Sequence, residues 1–156
     1  MVEKKIMEKN YKLLCKMLDD KGWKYDTDAE KYKISCDVEG DNGTYSVRMY
    51  LDDERAVAIT WVFIDLKVPS SMQETMSLAI NAINSYVIHG VFDYGQEKGN
   101  LLYRCTSTFR ESIVSEEWFE YLLDVACVTT DNHLSKLRRL VKGYLTLDEL
   151  IEELEK

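Results

Sequence analysis

The sequence contains one proline, Pro69, and no repeat, low-complexity run or linker-like stretch. A single domain over 1–156 is expected, with 144–156 as a short C-terminal helical extension. A chain of this length buries about 70% of its unfolded surface, enough for a full core. No stretch approaches the roughly 18 uncharged apolar residues of a membrane span. The start, MVEKKIMEKNYKLL, lacks the apolar run of a signal peptide, so a cytoplasmic location is expected. Cys15, Cys36, Cys105 and Cys127 form no C-x-x-C pair, which argues against zinc or dithiol chemistry and for small, buried, reduced thiols. Neither G-x-G-x-x-G nor G-K-[ST] occurs, which argues against a phosphate loop. Basic residues are outnumbered 20 to 28, a net charge of −8. Nucleic acid and anionic membranes would be repelled, so a soluble protein is the expected partner.

Apolar residues make up 46% of the chain, and their spacing predicts an α+β domain. Residues 2–21 repeat apolar positions at helical steps and stop at Gly22. Tyr32, Ile34, Cys36 and Val38 alternate, as do Tyr45, Val47, Met49 and Leu51; the GDNG of Gly40–Gly43 between them reads as a hairpin turn. RAVAITWVFIDL (55–66) is apolar on both sides, as in a central strand. A second helix is expected from a Ser71/Glu74 capping box to His89, and a second hairpin over 91–109 around Gly95–Gly99. A long helix from Ser115 to about Lys142 follows, and a Thr146/Glu149 capping box opens a last short helix. The predicted order is α-β-β-β-α-β-β-α(-α), an antiparallel sheet with helices packed on it. Gly22, Gly90 and Gly143 are each expected to end a helix in the left-handed conformation, with an apolar residue following.

NAINSYVIHGVFDYG (81–95) places Ser85, His89 and Asp93 close together, in the manner of a catalytic set. A helical serine more often bonds the carbonyl one turn back, and His89 is better read as part of a helix end. DVEGDNG has acids at calcium-loop positions. It lacks the glycine at position six, which is Asn42, and the glutamate at twelve, which is Arg48. Asp19-Asp20 and Asp52-Asp53-Glu54 read as solvated turns. His133 reads as a bonded histidine at the core edge. Lys136, Arg138, Arg139 and Lys142 read as helix-dipole compensation. No catalytic, cofactor-binding or metal-ligating residue is therefore assigned, and no enzyme activity is expected.

The second helix is unusual: Thr75–His89 carries no Lys, Arg, Asp or Glu. Met72, Met76, Ala79, Ile80, Ile83 and Val87 should face the sheet, a burial worth on the order of 10 kcal/mol before entropy costs. The other side, Ser77, Asn81, Asn84 and Ile88, is also uncharged and is the candidate protein interface. Its cover is either the chain's own third helix or a partner, including a second copy of the chain.

The stretch KGWKYD…ISCDVEGDNGTYSVRMYLDDERAVAITWVFIDLKVP, followed by NAINSYVIHGVFDYGQEKGNLLYR, resembles the YbjN family of bacterial domains. The marks are Trp23, Gly40 and Gly43, Val68-Pro69, Asn81 and Asn84, Gly90 with Phe92, and Gly99 with Tyr103 and Arg104, over about residues 8–142. The resemblance implies a type III secretion chaperone-like fold. It implies no catalytic residues, since the family pattern has none, and its members are described as candidate sensory-transduction regulators. A non-catalytic protein-binding module, regulator or chaperone-like, is the expected function. The alternative is a small-molecule sensor with a pocket between sheet and helices near Trp61, Phe63 and Tyr103.

Overall fold

The computed structural model describes residues 1–95 and 99–156. Its elements are α1 (Lys4–Asp20), β1 (Asp26–Asp28), β2 (Lys33–Glu39), β3 (Thr44–Asp52), β4 (Val57–Ile64), α2 (Gln73–Asn84), β5 (Val91–Gly95), β6 (Asn100–Thr108), α3 (Glu116–Val141) and α4 (Leu147–Glu155). The six strands form one antiparallel sheet in the order β1-β2-β3-β4-β6-β5. The predicted α+β architecture is present, with β1 as an addition. Three residues, Asp26-Thr27-Asp28, are too few and too polar to show alternation. They become a strand only because Lys33–Ser35 of β2 offers a partner.

Period-two burial explains the layering. Ile34, Met49, Thr60 and Cys105 form one rung across the sheet, and Cys36, Val47, Val62, Tyr103 and Phe92 form the next. All are buried, and the core lies between this face and the helices. Among the described residues no α-helix packs over the opposite face. The expectation that β4 is covered on both sides is met on one side only. It is central, but its Val57, Ile59, Trp61 and Phe63 remain half exposed.

Two of the three expected glycine stops occur. The Gly22 and Trp23 N–H groups donate to the carbonyls of Asp19 and Leu18. Those of Gly143 and Tyr144 donate to Leu140 and Arg139. Both glycines have positive φ, closing the helices with paired bonds to the last turn. The third differs. α2 ends at Asn84 rather than His89, its last bonds converging as Tyr86 and Val87 both donate to the Ile83 carbonyl. Gly90 therefore serves an entry to β5, not a helix exit. The Ser71/Glu74 capping box does not form either. Pro69 leads into a 3₁₀ turn, Ser70–Met72, and α2 starts at Gln73 without a side-chain cap. The Ser115 cap and the Thr146/Glu149 box form as expected. The turn at 96–98 of the second hairpin lies outside the described residues.

The cover of α2 comes partly from its own chain. It packs against β5, α3 and α4. α4 buries Leu150 and is tied down by Arg139, whose guanidinium donates to both Glu153 oxygens at 3.0 and 2.6 Å. Part of the basic cluster thus holds the extension rather than only compensating a dipole. The cysteines are free. Cys36 and Cys105 are buried, whereas Cys15 and Cys127 are half-buried because each sits at the margin of its helix stripe. Burial pushes the Cys36 thiol up to about 11 and that of Cys127 up to about 12, so both stay protonated.

Candidate functional site

The three residues that resembled a catalytic set are each engaged elsewhere. The Ser85 hydroxyl donates to the Asn81 carbonyl at 3.1 Å, the bond one turn back that its position favours. His89 Nε2 and the Tyr121 hydroxyl share a hydrogen bond at 3.0 Å. Asp93 pairs with Arg104 at 3.3 Å, across β5 and β6. DVEGDNG is a hairpin. Its turn amides, Asp41 and Asn42, donate to the Asp131 carboxylate of α3 at 3.1 and 2.9 Å.

The structure brings together a different set. Ser85–Gly90 leaves α2 and runs beside the outer side of α3. Between them lies a groove of about 470 Å³, lined by Tyr86, Ile88, Tyr121, Val128, His89 and His133 among others. Tyr86, Ile88, Tyr121 and Val128 are 48%, 90%, 53% and 57% exposed. A protein surface usually scatters such residues singly, whereas here four converge on one groove. His133 sits at the floor with its ring edge-on to Phe92, 5.7 Å between centroids. Its Nδ1 is buried and makes no hydrogen bond among the described residues, unlike the bonded histidine expected. Burial, with Lys136 nearby, lowers its pKa to about 4, so the groove floor stays neutral at pH 7.

Of the four candidate interface residues, only Ile88 lines this groove. Ser77 donates to the Gln73 carbonyl at 3.0 Å, and Asn81 is exposed on α2. Asn84 has an internal task. Its amide nitrogen donates to the Phe92 carbonyl at 2.9 Å, and its oxygen accepts the Phe92 N–H at 2.8 Å. It thereby acts as a one-residue strand, closing the β5 edge. Asn10 repeats the device for the segment before α3, bonding the Ser112 carbonyl and the Val114 N–H, both at 2.9 Å. Asn84→Ala is expected to cost about 2 kcal/mol by leaving both edge groups unpaired, read as a lower urea midpoint with an unchanged m-value.

Tyr121 and Val128 were not singled out in the sequence, yet a signal was present. Tyr121, Val125 and Val128 stand at i, i+4 and i+7, a second apolar stripe beside the core stripe of Phe119, Leu122, Leu123 and Ala126. Trp61 and Phe63 do not share a sheet face with Tyr103, so the three do not line one pocket between sheet and helices as expected. Alternation puts Tyr103 in the core, its hydroxyl donating to the His89 carbonyl, and puts Trp61 and Phe63 on the opposite face.

Neither a family model nor a curated protein matches the sequence. Solved structures do. The chain is similar to YbjN from E. coli, a candidate transcription regulator, at 14% identity and a TM-score of 0.57, covering 78% of this chain and 85% of that one. It is similar to the ExsC–ExsE complex at 13% identity and a TM-score of 0.56, covering 84% and 92%. The HopA1–SchA chaperone–effector complex follows at 11% identity and a TM-score of 0.52, covering 82% and 94%. With its helices on one face of an antiparallel sheet, the chain has the α+β fold seen in YbjN and in type III secretion chaperones.

Proposed function

We propose that this protein is a non-catalytic, cytoplasmic binding module, regulator or chaperone-like, whose groove between 85–90 and α3 holds an apolar segment of another protein. The carrying observation is the convergence of Tyr86, Ile88, Tyr121 and Val128 on one groove. The net charge of −8 and Asp124 at the groove rim favour a segment with basic flanks. Two solved proteins of similar fold are complexes with protein partners, which supports the same reading.

Ile88→Glu is the test, because an almost fully exposed side chain changes stability by less than about 0.5 kcal/mol. Wild type and variant serve as baits for proteins from the source organism, and a retained partner segment is then titrated into each. The variant is expected to bind at least about tenfold more weakly, as for a central anchor. Equal binding by both would overturn the groove as the site. Sedimentation of the protein alone separates the competing occupant, a second copy of the chain. A dimer that Ile88→Glu dissociates would replace the client with a homodimer.

A further inference from the structure

The sheet face away from the helices carries a second arrangement, independent of the groove. Antiparallel register places Asp26, Ser35, Arg48 and Trp61 side by side on consecutive strands. The neighbouring rung is Asp28, Lys33, Tyr50 and Ile59. Paired residues point to the same face, so all eight side chains leave the sheet on its uncovered side. Ser35 is the short member of its rung. Over it lies a depression of about 350 Å³, bounded by Asp26, Lys33, Arg48, Tyr50 and Trp61. That volume falls within the range of about 300–1,000 Å³ typical of small-ligand sites.

Its walls combine three chemistries. Tyr50 and Trp61 stack on one another at 5.2 Å with planes 19° apart, giving the depression an aromatic side. The Arg48 guanidinium rests over the Phe63 ring at 4.7 Å, and Lys33 lies 5.5 Å from the Tyr50 ring centre. Among the described residues neither cation has an ion pair, and neither does Asp26. Asp26 and Arg48 stand two strands apart, roughly 9–10 Å between backbones. No pair forms between them; the guanidinium lies over Phe63 instead, and serine separates the two.

We propose that this depression binds a small zwitterion of the amino-acid type with a flat apolar side chain. The ammonium lies at Asp26, the carboxylate at Arg48 and Lys33, and the side chain against Tyr50 and Trp61. Charges of opposite sign, unbridged and facing one hollow, fit a ligand carrying both charges. They fit a polyanion poorly, because Asp26 and Asp28 would repel it. Arg48 suits a carboxylate through its planar fork, and the ring beneath it fixes its plane. The site is shallow and open to solvent, so the dissociation constant is expected on the order of a millimolar.

Titrating ¹⁵N-labelled protein with L-phenylalanine, and watching the Trp61 indole N–H assigned by Trp61→Phe, tests this. Saturable shifts at Trp61 and Arg48 are expected. N-acetylphenylalanine, which lacks the ammonium, and phenylalanine amide, which lacks the carboxylate, should each bind at least about tenfold more weakly. Asp26→Asn should abolish the preference over N-acetylphenylalanine and Arg48→Met should weaken the preference over phenylalanine amide; both residues are exposed, so both variants should stay folded. No saturable shift, equal binding of all three ligands, or shifts confined to another surface would overturn the proposal. Stronger binding of an oligonucleotide than of phenylalanine would overturn it in favour of a nucleic-acid face.

Discussion

Replacing Asp131 by alanine is expected to lower stability by about 3 kcal/mol, the largest effect of any single polar change in this protein. Asp131 projects from α3 into the β2–β3 hairpin. Its carboxylate accepts from the Asp41 and Asn42 backbone amides, the Asn42 side chain and the Tyr45 hydroxyl, the last at 2.5 Å. Arg138, two helical turns on, donates to the Asn42 carbonyl from the other side. Truncation leaves those amides and the fully buried Tyr45 without their acceptor. Glycine at position 40 belongs to the same latch, since a Cβ there would stand 2.5 Å from the carboxylate. The latch also has a pH signature. Burial opposes the charge, but the hydrogen bonds from Tyr45, Asn42 and Asp41 outweigh it and hold the carboxyl below its usual value of 3.8. A depressed carboxylate contributes stability that is fully present above its unfolded pKa, near pH 4, and is lost as pH falls through the folded value. Wild type should therefore lose this share of stability below about pH 4, and Asp131→Ala should lack that part of the acid sensitivity. Urea midpoints from pH 7 to pH 2.5 measure both; parallel curves for the two proteins would refute the assignment.

Gly90→Ala should be about as damaging, costing roughly 3 kcal/mol. Gly90 has φ of 73°, where any L side chain is strained, and a Cβ there would meet the Tyr103 hydroxyl and stand 2.5 Å from the Arg104 carbonyl oxygen. The second obstacle is backbone of a paired strand and cannot swing away. The first is the hydroxyl that holds the His89 carbonyl, hence the wall of the groove. Tyr103→Phe separates the two contributions. It removes the hydrogen bond without strain, and about 1 kcal/mol is expected. Gly90→Ala should in addition displace 85–89 and weaken segment binding in the groove, whereas Ile88→Glu weakens binding with stability kept. A Gly90→Ala protein as stable as wild type would refute this account.

Local periodicity carried much of the fold into the sequence. Alternation in 34–38 and 45–51 specified which side of each strand is buried, because a strand's faces are set by period two alone; Tyr32, read with the first run, instead precedes β2 at a φ of 51°. The stops at Gly22 and Gly143 and the caps at Ser115 and Thr146 were legible because each depends on residues within one turn. The end of α2 was not. Helical spacing continues through Val87, but Asn84 is drawn to Phe92, eight residues on, and the tightened turn at Ile83 releases the chain. Asn84 looked like an interface residue for the same reason: an uncharged amide on a helix has no visible partner until a strand edge is folded beside it.

The sequence by itself determined the class of the domain, the buried sides of β2 and β3 and the negative balance of its charge, since these follow from spacing and composition. Tertiary structure alone decided what those residues do to one another. Packing of 85–90 beside α3 gathered Tyr86, Ile88, Tyr121 and Val128, which span Tyr86 to Val128 in the chain, into one groove. Pairing of five strands set Asp26 and Arg48 on either side of Ser35 and sent Trp61 and Tyr103 to opposite faces. Such neighbours are fixed by register and crossing between elements, which depend on the energy of the whole core rather than on any stretch of residues within it.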